Sequence, residues 1–276
     1  MKRFALILMS IITLQAIAQE SIPYKVSYDN PDDLGNNYIY GYYFDYMTGN
    51  STSSLGVSTN TWIALNKINL EADLKLGFLG DAAAVKRLST RINVGAGFEI
   101  SNKKKVKDVK VNVNTFYTKV DVETADGKYV GRFDALAVQQ IKVPGTYKLE
   151  TTLQGGLLYR NGSVDKSYEG RFRELGIYGG VTYESKVNIT TDLFDKQSKS
   201  AQYLRMYADL VYYPVFTLTN SDPELDNSRI GFRVGGLGHL PNMNNFINYM
   251  APKIEAGLNP VGFYFIVGLG FNIASF

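Results

Sequence analysis

Apolar and polar residues alternate along several segments of roughly ten residues, and this two-residue period constrains the fold more than any other feature. Successive side chains of a β-strand point to opposite faces, so strict alternation indicates strands with one apolar face. The clearest alternating segments are 70–78, 91–100, 147–160, 204–212, 229–235, 253–258 and 262–273. Weaker candidates are 38–47, 55–65, 109–122, 129–139 and 174–184. The sequence therefore predicts an all-β fold.

The length of these segments predicts that the strands cross a membrane. A tilted strand needs about 9–11 residues to cross the hydrocarbon core, whereas strands in soluble domains average roughly five or six residues. Strands in lipid must close on themselves, because no water is present to satisfy an open sheet edge. A single-chain bacterial barrel also has an even number of strands. We therefore predict a transmembrane antiparallel β-barrel of about twelve strands, with a range of ten to fourteen.

Local features add detail to this barrel. Five aromatic residues of the first strand share one phase and are predicted to lie on one face, at a membrane interface: Tyr38, Tyr40, Tyr42, Phe44 and Tyr46. Pro214 and Pro252 fall inside candidate segments and are predicted to mark strand ends or bulges, because proline cannot donate a ladder hydrogen bond. Asn259-Pro260 predicts the turn of the last hairpin. Segments 101–107 and 186–200 are predicted to be connections.

The N-terminus has the features of a cleaved signal peptide. Lys2 and Arg3 precede an almost wholly apolar run at 4–12, and Ala16-Ile17-Ala18 supplies the small residues of a cleavage site. The alternative is a membrane anchor, but the run has about half of the roughly 20 residues that a spanning helix needs. We predict a signal peptide at 1–18 and a single barrel domain at 19–276.

Composition excludes several classes of partner and cofactor. Without Lys2 and Arg3 the chain carries 27 basic and 26 acidic side chains, so no basic excess indicates a nucleic-acid partner. The sequence contains no cysteine, which excludes disulfides, thiolate metal sites and a lipid anchor on an N-terminal cysteine. No cofactor is predicted.

No residue pattern predicts catalysis or metal binding. His239 is the only histidine, and no Ser or Asp partner is placed around it, so it is predicted to be structural. The acidic pairs Asp32-Asp33 and Asp222 with Glu224 are predicted to be solvated loop residues. Gly95 and Gly97 lack the third glycine of a dinucleotide fingerprint and lie within a strand segment. The chain is therefore predicted not to be an enzyme.

The polar phase of the strands carries charges of both signs that are predicted to face the lumen. The predicted lumen-lining residues are Lys75, Arg91, Glu99, Glu150, Arg160, Arg205, Asp209, Arg233, Lys253 and Glu255, and the same phase places Glu71, Asp73 and Lys148 beside them. Near-equal numbers of both signs argue against strong ion selectivity, which uses rings of one sign. An interior salt-bridge network and a conduction path both fit this set.

These features together resemble the outer-membrane β-barrel proteins of Gram-negative bacteria. The signal ending in Ala-Ile-Ala-Gln and the closing Gly-Leu-Gly-Phe strand are similar to those common in the Bacteroidota, although no subfamily is identified. The terminal Phe276 departs from the usual signature, because it is even-numbered while the apolar stripe from Phe263 to Ile273 is odd-numbered. The resemblance implies contact with outer-membrane lipid and lipopolysaccharide.

Two functions are compatible with this resemblance. The first is a small porin-like pore or uptake channel. The second is a barrel without transport, which acts as a scaffold or accessory subunit of a larger envelope assembly and contacts other outer-membrane proteins or lipoproteins. An outer-membrane enzyme and a soluble periplasmic β-protein rank below these two.

Overall fold

The computed structural model of the chain is built almost wholly of β-strands. It describes residues 23–34, 37–49, 53–79, 89–123, 129–164, 170–193, 196–219, 228–239 and 250–275. Its strands are β1 (Tyr24–Asp29), β2 (Tyr38–Gly49), β3 (Ser53–Leu65), β4 (Ile68–Leu79), β5 (Ser89–Glu123), β6 (Tyr129–Val164), β7 (Gly170–Leu193), β8 (Lys196–Thr219), β9 (Ile230–His239), β10 (Met250–Asn259) and β11 (Gly262–Ser275). One short 3₁₀-helix, Pro31–Leu34, joins β1 to β2. No helix in the described ranges is long and apolar enough to cross a membrane.

All eleven strands belong to one antiparallel sheet. Its order is β1-β7-β6-β5-β4-β3-β2-β11-β10-β9-β8, and β8 pairs back with β7. Strands β2 to β11 therefore form a closed ring of ten strands, and β1 pairs with β7 as an eleventh. This confirms the predicted antiparallel barrel. The ten strands of the described ring are an even number at the lower bound of the predicted range of ten to fourteen, two below the central value of twelve.

The ring is apolar on its outer face and polar on its inner face. On β4, Leu70, Leu74 and Leu76 are exposed, whereas Asp73 and Lys75 between them are only 3% exposed. The other ring strands have the same arrangement, in which exposed Leu, Ile, Val and Phe alternate with buried polar residues and tyrosines. The alternation in the sequence thus corresponds to an apolar outer face and a polar inner face of the ring.

A β-bulge in β2 overturns the prediction that five aromatic residues share one face. Tyr38, Tyr40 and Tyr42 are buried inside the ring, whereas Phe44 and Tyr46 are exposed on its outside. The register shifts by one residue after Tyr42 against both β3 and β11. One extra residue in a strand moves every later side chain to the opposite face, so the prediction was wrong.

The turn and proline predictions agree with the observed register. Pro214 lies where β8 carries one extra residue against β7, which is a bulge. Pro252 lies one residue outside the paired stretch of β10 and β9, which begins at Lys253. The last hairpin turns after Asn259, and Gly262 has a φ of 113°, a backbone conformation that glycine adopts without a steric penalty.

The strands β5 to β8 run well beyond the ring. β5 and β6 have 35 and 36 residues, and β7 and β8 have 24 each. Segments 101–107 and 186–200, which the sequence predicted as connections, lie largely within these strands, so that prediction was wrong. The extensions of β5 to β8 project from the same end of the ring as the start of β2 and the end of β11.

These extensions and β1 enclose a second, apolar core, and we call this part of the molecule the overhang (residues 24–29, 101–147 and 187–202, as far as they are described). Its core is built from Val109, Val111, Ile141, Val143, Val187, Ile189 and Leu193, with Val26 packed against it. The hydroxyls of Ser198 and Ser200 on β8 donate to the main-chain carbonyls of Asn112 and Lys110 on β5. The β5–β6 extension therefore packs over the extension of β7 and β8.

The overhang begins where β6 separates from β7. Pairing of these two strands ends at Tyr147 and Val187, next to Pro144-Gly145. A side chain at Gly145 would press on Val109 and Ile189, so this close approach requires glycine. β1 takes the place of β6 beside β7, and the Asp29 carboxylate accepts hydrogen bonds from the main-chain N–H and the hydroxyl of Thr146.

Candidate functional site

The ring interior contains most of the residues that were predicted to line a lumen. Nine of the ten are buried: Lys75, Arg91, Glu150, Arg160, Arg205, Asp209, Arg233, Lys253 and Glu255. Glu99 is half-buried at the overhang end of the ring, beside a polar cavity of about 200 Å³. Four further charged residues of the described ranges are buried but were not predicted: Asp45, Glu174, Glu184 and Lys186. Glu174 and Glu184 share the even phase of Tyr178 and Thr182 and could have been found from it.

A first cluster of charges joins β2, β4 and β10. The Lys75 ammonium lies 2.6 Å from the Asp45 carboxylate, and the Lys253 ammonium lies 3.1 Å from Asp73 and 3.8 Å from Asp45. Ser58 donates a further hydrogen bond to Asp45. Each buried carboxylate here has a cationic partner, which offsets the cost of removing the charge from water.

Glu255 is the centre of the largest cluster. Arg91 donates to its Oε2 at 2.7 Å, and Tyr264 donates to its Oε1 at 2.8 Å. Tyr207 donates a third hydrogen bond, and the Arg160 guanidinium lies 3.6 Å away. Side chains of four other strands thus converge on one carboxylate of β10, and the Glu255 side chain is inaccessible to solvent.

Two further arginines complete the interior network. Arg205 on β8 lies 3.0 Å from Glu71 on β4, and Arg233 on β9 lies 2.7 Å from Asp209 on β8. Gln154 donates to the same Asp209 carboxylate at 2.8 Å. These contacts join β4, β6, β8 and β9 inside the ring.

Aromatic rings fill the space between these charges. The guanidinium of Arg205 lies 3.6 Å from the centre of the Trp62 ring, and that of Arg233 lies 4.1 Å from the centre of the Tyr178 ring. Both are within the range of cation–π attraction. A side chain at Gly95 would occupy the position of the Tyr178 hydroxyl, so the inward glycines make room for the inward tyrosines.

The Arg91–Glu255 pair crosses the full width of the ring. β5 and β10 lie five strands apart in either direction around the ten-stranded ring. Two side chains on opposite walls can come within 2.7 Å only through the interior. The arrangement therefore places ion-paired charges across the middle of the barrel.

Asp32, a predicted solvated loop residue, lies exposed at the overhang end of the ring and pairs with two lysines. Asp32, in the 3₁₀-helix, lies 2.5 Å from the ammonium of Lys104 and 3.1 Å from that of Lys148. Hydrogen bonds from Lys104 and Lys148 hold the pKa of Asp32 below its ordinary value of 3.8. Asp222, Glu224 and the side chain of His239 lie outside the part of the chain that the structure describes.

No protein-family model, no curated protein and no solved structure matches this chain. The class of the protein therefore follows from the fold and the interior alone. It is a closed antiparallel β-barrel with an apolar exterior, a charged interior crossed by ion pairs, and an overhang built from β1 and the extensions of four ring strands.

Proposed function

We propose that this protein is an integral outer-membrane β-barrel of the Bacteroidota type that conducts no solute and serves as a scaffold or accessory subunit in the envelope. The barrel holds the overhang at the membrane surface, where it is available to an outer-membrane protein or lipoprotein partner. The main support for a barrel that conducts no solute is the Arg91–Glu255 ion pair, which crosses the ring.

The apolar exterior supports the membrane location. The outward stripe from Ile68 to Leu76 on β4 measures roughly 26 Å along the strand at about 3.3 Å per residue. A tilt of about 40° reduces this to about 20 Å along the barrel axis, close to the apolar band of about 25 Å that membrane barrels carry. In water this exposed surface would cost about 25 cal/mol per Å², whereas lipid imposes no such cost.

The filled interior supports a scaffold over a pore. Arginine and carboxylate side chains from opposite walls meet at hydrogen-bond distance, and aromatic rings occupy the space between them. A conducting channel needs sites that an ion can enter and leave. Opening this interior would leave buried charges without partners, which is costly.

The membrane location is tested by fractionation followed by gel migration with and without heating. The expected result is a protein in the outer-membrane fraction that migrates faster before heating than after it. A fully soluble protein with no change in migration would overturn the membrane location.

Conduction is tested with the purified protein in a planar lipid bilayer. The wild type is expected to add no steady conductance, and the double variant Arg91→Ser with Glu255→Ser is expected to add a measurable one, because it removes both sides of the crossing. The control variant Asp32→Ser with Lys104→Ser removes one charge of each sign from an exposed pair and is expected to add no steady conductance. Steady conductance of the wild type would favour the pore and overturn the scaffold.

A further inference from the structure

The outer face of the ring has a groove of about 930 Å³ across β8, β9 and β10. Leu204 and Met206 of β8 form one wall, and Pro252 and Ile254 of β10 form the other. Its volume lies within the range of ligand sites, about 300–1,000 Å³. The groove is therefore large enough for a small amphipathic molecule.

The groove exists because β9 has glycines on its outward face. Gly236 lies between Met206 and Ile254 in the register, and Gly238 lies opposite Leu204. Without side chains on the central strand, the flanking side chains stand above its backbone and leave a depression. The floor and the walls are apolar.

Polar residues mark the end of the groove that faces the overhang. Tyr147, Ser185 and Gln202 line this end, and Tyr147 also packs against the apolar core of the overhang. Tyr147 pairs directly with Lys105 of β5. The groove thus runs from an apolar belt to a polar rim that has a lysine beside it.

A β-bulge places three lysines in a row on this outer surface. The register of β5 shifts between Glu99 and Ser101, after the outward residues Phe98 and Ile100. Beyond the bulge Lys104 turns inward to Asp32, so Lys103, Lys105 and Lys107 point outward by alternation. All three are exposed, and none forms an ion pair with a carboxylate of a described residue.

An anion beside this row would offset the repulsion between its three charges. Alternate residues of a strand lie roughly 7 Å apart, so the three ammonium groups repel one another. The row begins directly beyond the apolar stripe of β5, at the depth where lipid head groups lie if the barrel is in a membrane. Lysines near an anionic membrane surface are attracted to its phosphates.

We propose that the groove binds the acyl chain of an anionic membrane lipid whose phosphate is held by Lys103, Lys105 and Lys107. This inference rests on the proposed membrane location. The apolar groove supplies the site for the chain, and the lysine row supplies selectivity for a charged head group. The polar rim at Tyr147 and Gln202 lies between the two parts.

The head-group selectivity is tested by native mass spectrometry of the full chain in detergent, titrated with phosphatidylglycerol or with phosphatidylcholine of the same acyl chains. Phosphatidylglycerol is expected to bind at least about tenfold more tightly, given the contribution of each lysine near anionic lipid. The triple variant K103Q/K105Q/K107Q is expected to lose this preference. The matched triple variant K25Q/K196Q/K199Q removes three other exposed lysines of the overhang and is expected to keep it.

The groove is tested with a residue that lines it and is exposed. Ala208→Phe is expected to weaken binding of both lipids, because the added ring occupies the groove. Ala72→Phe places the same ring on the outward face of β4, away from the groove, and is expected to have no effect. Equal binding of both lipids, or unchanged binding to the lysine or the Ala208 variant, would overturn the lipid site.

Failure of this inference is distinguishable from failure of the proposed function. A barrel that fractionates with the outer membrane and shifts on heating, but binds both lipids equally, would refute the lipid site alone. A soluble protein would refute both. Displacement of phosphatidylglycerol by an equal concentration of inorganic phosphate would identify a free-phosphate site and would also overturn the lipid site.

Discussion

Strands β5 to β8 run through both the ring and the overhang, yet the two regions have opposite interiors. Inside the ring β7 buries Glu184 and Lys186, and one residue later, inside the overhang, it buries Val187 and Ile189. The outer surfaces of the two regions also differ: the ring exposes leucines and valines, whereas the overhang exposes lysines. One strand therefore passes between two environments without a break in its hydrogen bonding.

The difference shows that an amphipathic strand does not determine which of its faces is buried. Alternation separates an apolar face from a polar face, and the surrounding solvent decides which face turns inward. In water the apolar face is enclosed, as in the overhang. In lipid the polar face is enclosed, because lipid offers no hydrogen bonds, and the ring has this arrangement. The step from Lys186 to Val187 is thus the proposed boundary between lipid and water.

The largest effect is expected from removing the central carboxylate of the ring. Glu255→Met leaves the buried Arg91 and Arg160 guanidinium groups without their shared partner. Breaking a buried ion pair from one side costs about 3–5 kcal/mol of unfolding free energy. Urea unfolding in detergent checks this value through the fluorescence of Trp62, the only tryptophan of the chain, which packs against Arg205 inside the ring.

The control for this change is Glu99→Met, at the half-buried end of the ring. It is expected to change the unfolding free energy by less than about 1 kcal/mol, since substitutions away from buried networks have small effects. Equal losses for Glu255→Met and Glu99→Met would show that the ring interior does not depend on its network. Such a result would remove the contrast between the two interiors.

The second largest effect is expected from an arginine substitution on β5, which contributes to the outer surfaces of both the ring and the overhang. Val94 is 45% exposed on the ring and Val106 is 70% exposed on the overhang, both on β5. Val94→Arg is expected to cost about 2–4 kcal/mol of folding free energy in lipid bilayers, the range for arginine near the bilayer midplane. Val106→Arg is expected to cost less than about 0.5 kcal/mol, because its side chain already faces water. The folding free energy of each variant is measured by refolding it into lipid vesicles at increasing concentrations of urea.

A similar small cost for both arginine variants would mean that both surfaces face water. The apolar exterior of the ring would then need a protein partner to cover it in place of lipid. A large cost for both would instead extend the lipid boundary beyond Val187 into the overhang.

The sequence predicted the stripes of the ring well where the alternation is unbroken. The stripe from Phe263 to Ile273 lies on the outer face of β11, and Asp73 and Lys75 lie inside β4, as their phases require. The prediction failed at bulges, because one extra residue at Tyr43 reverses the phase without leaving a compositional mark. The position of a bulge is set by pairing with the neighbouring strands, and the sequence of one strand alone does not show that pairing.

The overhang and the crossing pairs could not be predicted for different reasons. Segment 101–107 is rich in lysine on both faces, since much of it lies between the apolar outer face of the ring and the apolar core of the overhang, and it therefore shows no alternation. Arg91 and Glu255 are 164 residues apart and meet only because the ring closes with β5 opposite β10. The identity of the inward residues follows from their phase, whereas their pairing depends on the closed ring.

The smallest effect is expected at the junction of the two regions, where Asp32 joins Lys104 and Lys148. Asp32→Asn is expected to lower the stability of the overhang by about 0.2–1 kcal/mol at pH 7, because the pairs are exposed and screened by salt. The lysines lower the pKa of Asp32 in the folded protein, so its stabilising effect is fully present above the ordinary value of 3.8 and is lost as the pH falls through the lower folded pKa. Pulse proteolysis, with thermolysin at neutral pH and pepsin in acid, measures the wild type and the variant on both sides of this window. Asp33→Asn makes the same charge change one residue away, where the carboxylate accepts a hydrogen bond from Asn30, and it keeps Asp32, so this variant is expected to retain the pH dependence of the wild type. If the Asp32 and Asp33 variants respond alike, the lysine pairs do not hold the junction, and the two regions are coupled through β1, whose Asp29 accepts the hydrogen bonds of Thr146.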